Sequence, residues 1–413
     1  MQAKHNHSLK RIDLSKAEVI RLIGIFSVWR TLLFLIGAAA DKFLEYRPSF
    51  PYSETILAQS DLPRWLYSWA NFDGVHYITI AEKGYFGTGL IQAFFPFFPA
   101  ILLRPFYLLG GASINLVLVG LILTNLAALL GVILWFIFLK SCFKVTSAYF
   151  GVLLLLLFPT SLFFGAYYTE SIFFAVIIGA FLCAKQKWWL LAGLLTLIAT
   201  ATRVVGVFLV PALLVELWMQ WRSAQSTQLL LSPLPSQMKS WFTSNWREVF
   251  YISLGSLGIL GYMIYLAKMF GDPLYFLHVQ SEFGAGRTEG FVIYPQVLWR
   301  SIRILLTLDP LTLRYYTVVL EFIAGSFGLL GLMFAVLKIR LSYVIFALGA
   351  FLMPTFTGTF SSMPRYILIC FPLYLLLIMY TENRPRLRSI VLVLCGLTAA
   401  VNTVIFIQGY WLS

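Results

Sequence analysis

Charge is the first thing this sequence lacks. Only 11% of its 413 residues are charged and 60% are hydrophobic, against roughly 25% charged in an ordinary soluble domain. That balance excludes a water-soluble globule. Cysteine is scarce too. Cys142, Cys183, Cys370 and Cys395 stand in or beside apolar segments, without the paired spacing of a disulfide framework or a metal site, so they do not fix the redox compartment. No dense His/Asp/Cys cluster is present, which argues against a built-in metal. No Gly-rich nucleotide cradle or Rossmann pattern occurs either.

What is present is one apolar run after another. Crossing a hydrocarbon core takes about 20 residues of helix, and stretches of that length recur between short charged breaks. The pattern predicts an all-α integral membrane protein, a single polytopic domain over residues 1–413 with about eleven spans. They are expected near 19–40, 93–109, 114–139, 147–165, 169–184, 188–219 (one long or two short), 248–269, 316–337, 341–357, 366–381 and 389–408. No internal repeat of the kind that marks many secondary transporters is visible.

The net charge of +13 is dispersed in short clusters between spans, as the positive-inside pattern requires. It therefore reads as orientation and not as a nucleic-acid footprint. Residues 1–18 carry Lys4, Lys10, Arg11 and Lys16, with Arg21 just beyond, and form the expected cytoplasmic tail. The first span lacks a small-residue cleavage site and is expected to be retained. Residues 220–247, with Trp241, Trp246 and Arg247, read as a cytoplasmic connection containing an interfacial helix. Lys338 with Arg340, and Arg384, Arg386 and Arg388, join them. The other side receives residues 41–92, the largest non-spanning segment and the expected seat of the chemistry, together with 270–315 and 358–365. One conflict remains. Lys140/Lys144 and Lys185/Lys187 both call for the cytoplasmic side, whereas strict alternation of the spans puts them outside unless a neighbouring segment is re-entrant.

Five stretches carry groups that could do chemistry. In Trp69-Ala-Asn-Phe-Asp-Gly-Val-His-Tyr77 a helix starting near Asn71 places Asp73, His76, Tyr77 and Ile80 on one face. Asp73 then either caps or charge-complements the start of that helix or acts as a catalytic carboxylate, and His76 has an equally plain structural reading. The following Ala93-Phe-Phe-Pro-Phe-Phe-Pro99 suits a lipid-facing or interfacial start to the next span. Glu170, in Tyr-Tyr-Thr-Glu-Ser171, lies between two long apolar runs; an ionisable group there needs a partner or water, unless the stretch is an interfacial turn with Tyr167 and Tyr168 in an aromatic belt. Arg203 interrupts an apolar segment, and Arg365, followed by Tyr366, opens a late one. Guanidinium forks match phosphate oxygens, although both could snorkel to the interface. The segment 271–303 adds His278, Glu282, Arg287, Arg300 and Arg303.

In order and spacing, Phe72-Asp-Gly-Val-His-Tyr77, Ile80-Ala-Glu-Lys-Gly-Tyr85, Ala93-Phe-Phe-Pro-Phe-Phe-Pro99, Tyr168-Thr-Glu-Ser171, Thr202-Arg203 and Pro364-Arg365-Tyr366 resemble the PIG-V family of GPI mannosyltransferases. Members often begin the motif with Trp-Asp, where this chain has Phe72-Asp73. The resemblance implies a GT-C-type bundle that transfers mannose by inversion from a dolichyl or other polyprenyl phosphate to a glycolipid or lipid-linked glycan acceptor at the outer face. Asp73 would be the catalytic carboxylate, accepting the proton of the attacking hydroxyl, with His76, Tyr77, Glu170, Arg203, Arg365 and Tyr366 around the substrates. The expected partners are thus a polyprenyl-phosphate sugar, a glycolipid acceptor and membrane lipids, with no nucleic acid. The missing nucleotide cradle fits a lipid-linked donor. No cofactor is expected, and a divalent ion bridging Asp73 or Glu170 and the phosphate stays open. The membrane would be the plasma membrane of a prokaryote or the endoplasmic reticulum of a eukaryote. Another polyprenyl-linked sugar, or transport of a lipid-linked sugar, is the competing expectation.

Overall fold

The computed structural model describes residues 14–225, 232–284, 286–288 and 290–412. Lys4, Lys10 and Arg11 of the expected tail, and residues 226–231 of the expected connection, lie outside the described residues. Among the described residues the chain is helical, with no strand. It begins with α1 (Lys16–Ala39), opened by a capping box in which Ser15 and Glu18 satisfy each other's backbone amides.

Six helical stretches are long and apolar enough to cross a bilayer: Lys16–Lys42, Leu116–Lys140, Val204–Ser223, Leu234–Phe270, Leu313–Lys338 and Pro385–Ile407. A seventh is added if Met363–Ile369 and Phe371–Thr381, bent by 72°, count as one span. The shorter apolar helices are Phe97–Gly110, Val145–Leu157, Trp189–Thr202 and Leu341–Thr355. Side chains that an aqueous surface would penalise stand outward on the long helices, among them Leu32, Leu35, Ile122, Leu126, Phe327, Leu330, Leu394 and Leu397. Such a continuous exposed apolar belt is a lipid-facing surface. The protein is a multi-pass helical membrane protein.

Contacts at the helix termini define two ends. At one, Lys140 meets Glu18 at 2.8 Å, Lys185 bonds Ser141, Gln220 donates to the Ala184 carbonyl at 3.0 Å, and Arg388 donates to Ser147 at 3.0 Å. Arg340 clamps the buried Glu216 through Nε (2.6 Å) and Nη2 (2.8 Å). Asp73, Glu170, Arg203 and Arg365 meet at the other end.

The expected span at 93–109 is corrected by this geometry. Both ends of that segment stay at the second end: Phe98 packs on Tyr77 with ring centroids 5.4 Å apart, Arg104 reaches the Ile80 and Ala81 carbonyls at 3.4 Å, and Asn115 bonds the Ser60 carbonyl at 2.6 Å. The Phe-Pro run faces protein and not lipid, with Phe94, Phe95 and Phe98 buried. Residues 188–219 are two helices, Trp189–Thr202 and Leu209–Ser223, turning at Arg203. With 93–109 removed from the alternation, both Lys140 and Lys185 fall at the end where α1 begins, and the charge conflict disappears.

The centre of the bundle is α2 (Glu170–Lys185), buried along almost its whole length. Short helices suffice here because irregular backbone within the membrane is tolerated where other protein segments cover it. Trp189–Thr202 packs closely on Leu254–Ser256 and on the helices before and after it. A Cβ at Gly193 would strike the Tyr251 carbonyl, and one at Gly258 the Leu197 carbonyl. Small residues at such crossings let helix backbones approach.

Candidate functional site

A cleft of ≈ 610 Å³ opens at the second end of the bundle. Asp73, His76, Tyr77, Arg203, Arg365 and Tyr366 all line it. Glu170, the remaining expected residue, lies beneath and is fully buried. One sequence-derived set has therefore been gathered from four separate stretches of chain.

The helix Asp73–Lys83 presents the first group. Its N-cap is Phe72, and no side chain caps it. The capping role for Asp73 is thereby set aside: its Oδ2 instead accepts Arg365 Nη1 at 2.6 Å. His76 and Tyr77 share the Asp73 face as the i, i+3, i+4 spacing requires, whereas Ile80 turns into the core. His76 stacks on Phe94 at 4.8 Å and pairs through Nδ1 with the Thr88 hydroxyl at 3.2 Å. Burial lowers its pKa from the usual value, partly offset by the Asp73 charge. The Tyr77 phenol is pushed upward by burial and then by Asp73, so it faces the cleft as a neutral hydroxyl.

Glu170 opens α2 and organises both arginines. Its Oε1 accepts Arg203 Nη1 and Arg365 Nε, and Oε2 has no hydrogen-bond partner. A buried carboxylate is tolerable only when paired, and here one carboxylate orients two guanidiniums. Arg365 also lies 4.4 Å over the Tyr168 ring and 5.4 Å from the Phe163 ring; Arg203 lies 5.4 Å from Tyr366. Neither arginine snorkels to solvent. Two cations and two carboxylates leave the cluster neutral.

The surrounding backbone is pinned at several points. Tyr168 donates its hydroxyl to the Asn71 carbonyl at 2.9 Å and accepts the Asp73 amide at 3.3 Å. Asn71 reaches the Phe406 carbonyl at 2.8 Å, and Thr160 donates to the Pro364 carbonyl at 2.7 Å. Tyr167 and Tyr168 thus belong to the core under the site, not to an aromatic belt. Four non-glycine residues lining the cleft have positive φ: Tyr52, Phe72, Leu90 and Ser362. Two of them immediately precede the segments bearing Asp73 and Arg365. Such conformations cost roughly 1–3 kcal/mol each and cluster at functional sites.

Asp73 and Glu170 are the carboxylates a divalent ion would use. Arg365 stands between them, bonded to both. Among the described residues, no group of three His, Cys, Asp or Glu side chains is placed to hold a metal.

No family model, curated protein or solved structure matches the chain. The site must be read from its own chemistry.

Of the later candidates, Glu282 and Arg287 line the cleft, and Arg287 donates to Gln280 at 2.8 Å. Arg300 is a clamp on the Gly358 carbonyl at 3.0 Å. Among the described residues His278 and Arg303 lie outside the lining; His278 is exposed and pairs with Asp272 at 2.6 Å. Sequence reasoning missed the Tyr168 bridge, Trp411 in the cleft wall, and Glu321, which accepts the Ser362 amide at 3.3 Å behind Arg365. Glu321 had a visible signal, an acid within an apolar run. Trp411 had none.

Proposed function

We propose that the chain is an inverting GT-C-type glycosyltransferase that moves mannose from a polyprenyl (dolichyl) phosphate to a lipid-linked glycan acceptor. The observation that carries the reading is the convergence of one carboxylate and two guanidiniums on a single large cleft at one end of a membrane bundle. Inversion is one displacement at the anomeric carbon. It needs a base for the attacking hydroxyl, for which Asp73 is the cleft carboxylate, and cationic stabilisation for the departing phosphate. Arg203 and Arg365, with Arg287 on the facing loop, supply the latter. His76, Tyr77 and Tyr366 offer hydrogen-bonding and stacking surface for the sugar. A lipid-linked donor also accounts for a membrane bundle, since the polyprenyl tail stays in the bilayer while its head group enters the cleft.

The same reading includes eleven passes, with 93–109 replaced by the split of 188–219, and places the cleft on the outer or lumenal face. The resemblance to PIG-V mannosyltransferases supports mannose; another polyprenyl-linked sugar would use the same machinery. Transport of a lipid-linked sugar is less well supported, because transporters hold substrate near mid-depth between repeats and this cleft opens at one end.

The test is transfer by purified protein in lipid, using labelled polyprenyl-phosphate-mannose and a panel of glycolipids, with water scored as an acceptor. Wild type should transfer, and Asp73→Asn should lose about 10²-fold or more, the scale of a positioned base. Equal transfer by the variant would remove Asp73 from the chemistry. No transfer by either protein to any acceptor would overturn the donor assignment.

A further inference from the structure

Arg365 has two of its donors committed, Nε to Glu170 and Nη1 to Asp73. Glu170 is fully buried beneath both arginines and cannot leave. Asp73 is different: it lines the cleft and its side chain is 21% exposed. Asp73 therefore takes Nη1, one of the two donors that a phosphate held end-on by parallel N–H bonds would need. The four groups are already neutral, so a phosphate bound with Asp73 in place would put two anions against one guanidinium in a partly desolvated site, where like charges repel strongly. A phosphodiester can accept two parallel N–H bonds from a guanidinium.

We propose that the phosphate of the lipid-linked donor displaces Asp73 from Arg365, and that this exchange both seats the donor and frees the base. The inference rests on the glycosyltransferase reading and adds an order of events to it. With Arg365 bonded to its carboxylate, Asp73 has Oδ2 held on the guanidinium, away from an acceptor hydroxyl. Once the phosphate has taken Nη1, the Asp73 oxygen is open to the acceptor hydroxyl. That oxygen becomes available only when donor is present.

The step balances. The acceptor oxygen bonds to the anomeric carbon as the bond from that carbon to the phosphate oxygen breaks. The bonding pair leaves on the phosphate, and the hydroxyl proton goes to Asp73. Two negative charges that began on donor and Asp73 end together on polyprenyl phosphate, facing the Arg203 and Arg365 guanidiniums. When Asp73 returns its proton to water it competes again for Arg365, which expels the product.

The consequence is unusual for a base: neutralising it should tighten product binding. Short-chain polyprenyl phosphate, with the matching polyprenol as neutral control, is titrated against wild type and Asp73→Asn in lipid nanodiscs. The variant should bind the phosphate about tenfold or more tightly while the polyprenol binds both alike. Infrared difference spectra of the wild type on adding the phosphate should show a shifted carboxylate band, a readout that needs no variant. Equal or weaker phosphate binding by Asp73→Asn, or an unmoved carboxylate band, would overturn the exchange while leaving the transferase reading to its own assay. If wild type transfers sugar and binds phosphate but the variant gains nothing, the exchange alone fails. If wild type binds no polyprenyl phosphate, the donor assignment fails and takes the exchange with it.

Discussion

At the scale of single residues, Glu170 has the most dependants. Its one carboxylate fixes two guanidiniums from distant segments and is itself fully buried. Glu170→Gln keeps the shape and removes the charge, leaving Arg365 with Asp73 alone and Arg203 without its carboxylate. Breaking a buried pair by removing one partner costs about 3–5 kcal/mol. The variant should therefore unfold at a distinctly lower temperature in matched lipid, whereas Asp73→Asn, on the cleft surface, should be displaced much less. Equal midpoints for wild type and Glu170→Gln would contradict the role given to the carboxylate. The residues of this cluster were legible in sequence because ionisable groups amid apolar runs are costly and need a reason. Which of them would pair was not legible. The Asp73–Arg365 bond joins residues 292 positions apart, and the Tyr168 hydroxyl bridge depends on a backbone turn that no spacing rule encodes.

At the scale of elements, Tyr294–Thr307 has a clear amphipathic division. Val297 and Ser301 are buried against the bundle, while Trp299 and Leu306, 80% exposed, face outward with Arg303 between them. Tyr294 and Arg300 anchor it to the Gly325 and Gly358 carbonyls at 2.8 and 3.0 Å. An apolar face with a basic residue in its middle suits the head-group boundary, where the arginine stem lies along apolar surface and its head meets phosphate. Nitroxides at positions 299 and 306 should be more accessible to oxygen than to a water-soluble nickel complex, and the opposite ratio would place this face in water. Hydropathy could not distinguish such a helix from a loop, since its apolar positions recur at helical spacing without forming a run. The same limit explains 93–109, whose apolar length matches a span although its side chains are consumed in packing around Tyr77.

At the scale of the whole molecule, the two-ended arrangement makes a topological claim. Lys144 and Lys187 belong to the end that holds Lys140, Lys185 and Arg388, whereas Asp272 and Arg303 belong to the cleft end. Single cysteines placed at these positions in a background lacking Cys142, Cys183, Cys370 and Cys395 should be labelled by a membrane-impermeant reagent in two complementary sets. Lys144 and Lys187 reacting from opposite sides would break the alternation. The helical class and the membrane character were readable from composition. The pass that is not a pass, and the long run that is two helices, became visible only in three dimensions, because a buried segment and a spanning one have the same hydropathy.

The shortness of α2 sets how deep the chemistry lies. At about 1.5 Å per residue, its 16 residues cover about 24 Å of a hydrocarbon layer roughly 30 Å thick. Setting Lys185 at one boundary leaves Glu170 short of the other, which would put the arginines it holds below the head-group plane. In the proposed reaction the donor phosphate descends to reach them. At that depth bulk water screens it less, so each guanidinium pulls harder than it would on an open surface. The surrounding leaflet must dip or thin to let water and head groups follow, a deformation that costs fractions of a kcal/mol per ångström. The protein should therefore work best in thinner bilayers, with lipid thickness acting as a tuning variable of the reaction.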